Sequence, residues 1–398
     1  MIRRSVATGM LLLGACSHRP PVPPITTGQQ SYDRFNSVVS YLRSQVDSAF
    51  PGAVVAVGFR DSVVLLAAVG HYGADDFRPV TPETIYDLAS LTKVIGLTTA
   101  TMMLIDEGKL DLDAPVQRYV PAFQGANKER VTIKHLLTHS SGMPAWRPLY
   151  AEAKTRDDAL ALVDTTALIR QPGDTFIYSD LGAIVLTQAV EAVSGQRLND
   201  FLAARVFGPL GMTSTRFLPP ADWRHRIAPT ENDTSFRHRL LRGEVHDENA
   251  GRLGGVSGHA GLFSSAPDLA RFALWLLGRR RAPEDAGTTN PPPSGDLRRL
   301  PASLVRHFTE RQNIPPGSSR ALGWDTPSEN SSAGTRMGPN AFGHTGFTGT
   351  SIWFDPDRDL FIILLTNRVN PTRANIKILQ VRRRVADLVN DALATLPP

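Results

Sequence analysis

The sequence predicts an α+β fold: an antiparallel β-sheet flanked by N- and C-terminal helices, with a helical lobe inserted between the sheet-forming segments. Three observations point there. Strand-like runs cluster near both ends of the chain, amphipathic helical patterns lie outside them, and a long middle stretch reads as mainly helical. With 41% hydrophobic residues in 398, the chain has enough apolar surface for a large core. No apolar run approaches the roughly 20 residues a spanning helix needs.

Taken in order, residues 32–49 carry Phe35, Val38, Val39, Leu42 and Val46 at helical spacing, and Pro51-Gly52 ends that helix. Two β-rich runs follow at 53–59 and 62–69, and Arg60-Asp61 between them reads as a hairpin turn. Helical candidates then fall at 90–107, 133–137, 155–169, 181–193 and 268–277. Strands return at 342–344, 351–354 and 361–366, with Asp355-Pro356-Asp357 turning between the last two, and a final amphipathic helix is expected over 371–394. The expected organisation is a sheet lobe from 32–80 and 303–398, a helical lobe from 81–280, and a flexible Pro-rich insertion at 282–301. No internal repeat is found.

The N-terminus is a targeting segment. Arg3 and Arg4 precede a short apolar run over residues 6–13, and Leu13-Gly14-Ala15-Cys16 follows. This junction resembles the bacterial lipoprotein signal, in which the cysteine becomes the lipidated first residue of the mature protein. The expectation is a signal at 1–15 and a Pro-rich tether at 16–31, with the membrane as partner through the lipid on Cys16. Ser17 after the cysteine resembles the outer-membrane sorting preference, so a periplasmic, lipid-anchored protein is expected. Cys16 is the only cysteine, which excludes internal disulfides and Cys-based zinc sites. Its 43 basic residues stand against 38 acidic ones and are scattered, which argues against nucleic acid as a partner.

Chemistry concentrates in three segments. In Leu88-Ala89-Ser90-Leu91-Thr92-Lys93, Ser90 and Lys93 are three apart, so a helix places both side chains on one face. A serine hydroxyl is a weak nucleophile until a neighbour takes its proton, and a lysine can do so only if its pKa is lowered. Alone, Ser-x-x-Lys also reads as a capping serine and a solvated lysine. The other two segments are Tyr178-Ser179-Asp180, after the Pro172-Gly173 turn signal, and Gly343-His344-Thr345-Gly346-Phe347.

Together these motifs, with Ile133-Lys134-His135-Leu136-Leu137-Thr138-His139-Ser140-Ser141-Gly142, resemble the serine β-lactamase and penicillin-binding protein superfamily over nearly the whole chain. The likeness is closest to class C β-lactamase-like hydrolases, family VIII esterases and the penicillin-binding protein 4B branch. It implies a β-lactamase/transpeptidase-like fold, no cofactor, no metal and a monomeric catalytic domain. It further implies that Ser90 forms an acyl-enzyme while Tyr178 with Lys93 moves its proton. The N–H groups of Ser90 and Phe347 would form the oxyanion hole.

Two departures from the family pattern matter. Asp180 stands for the usual Asn of Tyr-x-Asn, which disfavours efficient β-lactam hydrolysis or pairs the carboxylate with Lys93. His344 stands for the usual Lys of Lys-Thr-Gly, which would make the positive charge there pH-dependent. Asp180, His344, Thr345 and Gly346 are the expected substrate-binding residues. A further run, His246-Asp247-Glu248-Asn249, is expected to line or order the cleft wall, and its spacing does not suit a metal. The expected activity is hydrolysis of a small ester, amide or D-Ala-D-Ala peptide, with a peptidoglycan fragment or other small molecule as substrate. The competing expectation is a catalytically weak penicillin- or muropeptide-binding lipoprotein.

Overall fold

In the computed structural model, residues 33–282, 297, 300–329 and 331–394 are described. The expected signal and tether, Cys16 and most of the expected 282–301 insertion lie outside them. Helix α1 (Asn36–Ser44) is followed by β1 (Gly52–Phe59), β2 (Ser62–Gly73) and β3 (Asp76–Pro79). Arg60 and Asp61 both adopt positive φ, the conformation of a two-residue hairpin turn whose twist matches the strands it joins.

The middle of the chain opens with β4 (Ile85–Asp87), a π-helical segment Lys93–Thr98, and α2 (Thr99–Asp106). Next come α3 (Ile133–Leu137), α4 (Leu149–Glu152), α5 (Arg156–Thr165), α6 (Asp180–Ser194), α7 (Leu198–Leu202) and α8 (Gly208–Leu210). Short strands β5 (Arg216–Phe217), β6 (Asn232–Asp233) and β7 (Arg239–Leu240) lead to α9 (Glu248–Arg252), β8 (Leu262–Ser265), α10 (Ala266–Arg281) and α11 (Ala302–Thr309). The chain closes with β9 (Phe342–Thr345), β10 (Ser351–Asp355), β11 (Leu360–Thr366) and α12 (Ile378–Ala394).

The main sheet is six-stranded in the order β3-β2-β1-β11-β10-β9. Its centre pairs β1 with β11, antiparallel, so that Ala53 meets Thr366 and Phe59 meets Leu360. Side chains of a strand alternate between faces, and here both faces are covered. Ala53, Val55 and Val57 pack with Phe35, Val38, Val381 and Val385 of the two terminal helices, whereas Val54 and Ala56 join a larger core with Leu269 and Phe272 of α10. The expected α+β class and antiparallel sheet with terminal helices are therefore present.

Four local expectations are corrected. The middle region is not purely helical: β4, β8 and β5 form a three-stranded sheet and β6 pairs with β7. These strands of two to four residues are too short to show an alternating pattern. Strand β2 runs on past residue 69 to Gly73, where β3 extends the pairing. The 90–107 helix is interrupted by a π-helical stretch over Lys93–Thr98, with α-helix on either side of it. The last helix begins at Ile378 rather than 371, because the segment before it faces other partners. Pro371 O accepts from the Asn232 N–H, and the Arg373 and Asn375 carbonyls accept from the Arg368 guanidinium.

Candidate active site

Strand β4 delivers the chain to Ser90, and a buried carboxylate shapes the turn. Asp87 Oδ1 accepts from the Ala89 N–H at 2.9 Å and Oδ2 from the His246 N–H at 2.7 Å. Ala89 is held at φ +47°, a left-handed conformation an L-residue adopts only when its surroundings impose it. After this corner the chain winds directly into helix, with the Thr92 N–H bonded to Ala89 O and the Lys93 N–H to Ser90 O.

The loop between β9 and β10 is tied to the same corner. Thr348 Oγ1 donates to Asp87 O at 2.7 Å and Thr350 Oγ1 to Leu88 O at 2.9 Å. Gly346 is required here, since a Cβ would overlap the Leu88 carbonyl and Thr350 Oγ1. Arg382, on α12, closes the loop from the other side by donating to Gly346 O and Thr350 O at 2.6 and 2.8 Å. Neither the Ser90 N–H nor the Phe347 N–H donates to a protein acceptor among the described residues. Both residues border the cavities on either side of the corner.

Lys93 is buried, at 3% exposure, and its Nζ contacts three acceptors. They are Ser90 Oγ at 3.0 Å, His259 O at 2.9 Å and an Asp180 carboxylate oxygen at 2.6 Å. Burial opposes its charge, but Asp180 foremost and then Tyr178 outweigh it and hold the ammonium above its ordinary range. The pairing of the Asp180 carboxylate with Lys93, one of the two consequences expected of the Asn-to-Asp departure, is present, and it keeps Lys93 charged, so it donates to Ser90. Asp180 is set for this contact by α6, whose N-cap Ser179 accepts from the Gly182 N–H at 3.0 Å.

Tyr178 sits between cations. Lys93 Nζ lies 5.0 Å and Arg320 Cζ 5.9 Å from its ring centroid, and its buried hydroxyl has no hydrogen-bond partner among the described residues. Two histidines flank the ring, His139 at 4.5 Å and His344 at 5.9 Å between centroids. Burial, then Arg320 and Lys93, push both well below the usual histidine range. The His344 ring is thus held towards its neutral form, and its Nδ1 donates to Thr345 O at 2.8 Å. Charge on that wall comes from arginines instead.

Ser90 borders two cavities. One, of about 480 Å³, is walled by His344, Thr345, Gly346, Arg320, Arg368 and Arg382, with exposed Ile376 and Leu379 at its rim. The second, of about 260 Å³, is walled by Asp180, His246, Asp247, Glu248, Trp146 and Arg373. Every site residue expected from the sequence therefore lies on one of these two walls or, for Lys93, directly behind Ser90; Cys16 lies outside the described residues. Asn249 does not border either cavity. Its side chain accepts from the Tyr150 N–H and donates to Arg147 O, bracing the loop that carries Trp146.

His139, Arg320, Arg368 and Trp146 went unrecognised in the sequence. Arg382 also lacks any sequence signal beyond its place in the last amphipathic helix, where it is buried together with Val381 and Val385. Among the described residues no group of three or more His, Cys, Asp and Glu side chains is placed to hold a metal.

A nucleophile at a strained corner, a buried lysine behind it and a tyrosine across from it on the rim of an α+β sheet define a serine acyl-transfer enzyme by class. The Beta-lactamase family profile matches residues 38–386, and the chain belongs to that family as a serine hydrolase. A protein of Salmonella schwarzengrund named "Putative D-alanyl-D-alanine carboxypeptidase" is 29% identical over 94% of this chain and 93% of its own. Among solved structures, EstCE1, a hydrolase with promiscuous acyltransferase activity, superposes with a TM-score of 0.70 at 22% identity, over 91% of this chain and all of that one. A penicillin-binding protein homologue from Caulobacter crescentus gives 0.70 at 20% identity, over 91% and 98% of the two chains. A class C β-lactamase gives 0.69 at 19%, over 93% and 97%.

Proposed function

We propose that this chain is a D,D-carboxypeptidase-type serine hydrolase that removes a residue carrying a free carboxylate from a short D-amino-acid peptide. The observation that carries this reading is the cationic cavity beside Ser90. Arg320 and Arg382 are 4% and 6% exposed, and the Nε–H of each lacks an acceptor among the described residues. A carboxylate bound in this cavity would face the guanidinium charge of Arg320, Arg368 and Arg382, all of which line it. The name of the Salmonella relative agrees with this reading.

Ser90 Oγ attacks the carbonyl while Lys93, a charged donor at 3.0 Å, stabilises the developing alkoxide. Tyr178 takes the proton, with Lys93 and Arg320 beside its ring to balance negative charge on its oxygen, and passes it to the leaving nitrogen. The N–H groups of Ser90 and Phe347 hold the oxyanion. Water then attacks the acyl-enzyme, Tyr178 accepting its proton, and Ser90 is regenerated. We assign Cys16 the lipid anchor and the periplasmic envelope the location; palmitate labelling that survives Cys16→Ser would refute the anchor.

The test compares a D-Ala-D-Ala-terminated peptide with its C-terminal amide and with p-nitrophenyl butyrate. The expected result is cleavage of the free acid at least about tenfold faster than the amide, with all turnover lost in Ser90→Ala. Equal rates for acid and amide would leave a serine hydrolase without the carboxypeptidase assignment.

A further inference from the structure

The cavity opposite the arginine wall carries the reverse charge, and its acidic wall is built rather than incidental. Asp247 Oδ1 accepts from His259 Nε2–H at 2.9 Å and from the Ala250 N–H at 2.7 Å. His259 is itself 1% exposed and fixed by Ser257 Oγ at 2.7 Å from its Nδ1. Burial opposes a charge on Asp247, but His259, the Ala250 N–H and Lys93 outweigh it and keep the carboxyl below the usual range. The second oxygen, Oδ2, has no hydrogen-bond partner among the described residues, and Asp247 borders the cavity with its side chain 24% exposed.

The strong cations on and behind this wall are already paired. Lys93 contacts Asp180, and Arg373 bridges Glu231 and Glu248, the latter at 2.6 Å. An open, locked carboxylate oxygen therefore faces the space next to Ser90. Trp146, 46% exposed, forms another part of the same wall, and an indole face attracts a cation. Its loop is tied through Asn249 to the helix that Asp247 caps, so the two groups are held together.

We propose that Asp247, with Trp146, binds an ammonium group on the acyl half of the substrate, making Asp247 a specificity-determining residue. This rests on the hydrolase reading above but not on its carboxylate side. The two cavities would then sort a substrate by opposite charges across the scissile bond: ammonium towards Asp247 and carboxylate towards Arg320 and Arg382. A D-aminoacyl unit with a free amine has that chemistry, and an N-acylated one does not.

The test uses two pairs of compounds that differ in the acyl-half amine. One is D-alanine p-nitroanilide against its N-acetyl form, read as kcat/KM. The other is ampicillin against benzylpenicillin, read as the rate of covalent adduct formation by intact mass. Neither p-nitroanilide carries a leaving-group carboxylate, so failure of the carboxypeptidase reading would leave that comparison intact. In the wild-type protein the cationic member is expected to react at least about tenfold faster in each pair, with N-methyl-D-alanine p-nitroanilide, still cationic, on the fast side. In Asp247→Asn, which keeps a good helix N-cap, both ratios should collapse towards one. Equal rates within each pair in the wild-type protein, or ratios undiminished in Asp247→Asn, would overturn the ammonium site alone. No reaction with any of these compounds would defeat the hydrolase reading and this one together.

Discussion

Lys93 Nζ stands 2.6 Å from the Asp180 carboxylate while also donating to Ser90 Oγ at 3.0 Å, so one buried ammonium joins the nucleophile to the residue that departs from the family pattern. A lysine in this environment acts through its charge.

Replacing Asp180 with Asn should therefore weaken the protein and shift its pH–rate profile. Removing one partner of a buried pair costs about 3 kcal/mol, less here because Asp180 retains 20% side-chain exposure and Asn still offers an oxygen. Since Asp180 raises the pKa of Lys93, its loss lowers that pKa, and the alkaline limb of kcat/KM should move to lower pH. Urea denaturation and a pH–rate profile of Asp180→Asn check both. An unmoved alkaline limb would contradict a charged Lys93 as the acting species.

Acid should destabilise the fold through two neutral histidines. His139 and His344 are held well below 6.5, so the unfolded chain binds protons there that the folded one refuses. Their contribution is complete above about pH 6.5 and is lost as pH falls. With two such groups the slope below that value approaches ~2.7 kcal/mol per pH unit. Urea midpoints at pH 7.0 and 5.5 should differ accordingly, and His344→Gln should remove about half of that difference.

Arg320→Gln should raise KM for a peptide ending in a free carboxylate about tenfold or more, the scale of one charge-assisted hydrogen bond. The acid-to-amide preference is the sensitive readout. A fall in kcat with that preference intact would place Arg320 with Tyr178 rather than with the carboxylate.

Gly346→Ala should cost activity out of proportion to stability. The added Cβ meets the Leu88 carbonyl and Thr350 Oγ1, displacing the Phe347 N–H from the Ser90 corner. Loss of one oxyanion donor costs about 10²-fold or more in kcat, whereas overpacking costs about 1–3 kcal/mol of stability. Turnover beside a thermal melt separates the two.

The sheet and the helices around it were readable because Val54, Val55, Leu364 and Val385 follow the periods of buried strand and helix. Ser90, Lys93, Tyr178 and His344 were readable because motif spacing survives in the chain itself. What stayed hidden depends on partners far away in sequence. Nothing near Arg320 announces that it will lie against Tyr178, and nothing near His344 shows that burial will strip its proton. The role of Lys93 turned on Asp180, and only their approach in the fold decides between a proton acceptor and a fixed charge.

The bond from Arg382 to the carbonyls of Gly346 and Thr350 sets an order of events during synthesis. Residues 87–93 are synthesised early, yet the partners that hold their corner, His246, Thr348 and Thr350, come much later in the chain, and the loop bearing Phe347 is clamped only by α12. A partly made chain would carry the nucleophile without its oxyanion site and remain inert until its final helix arrives.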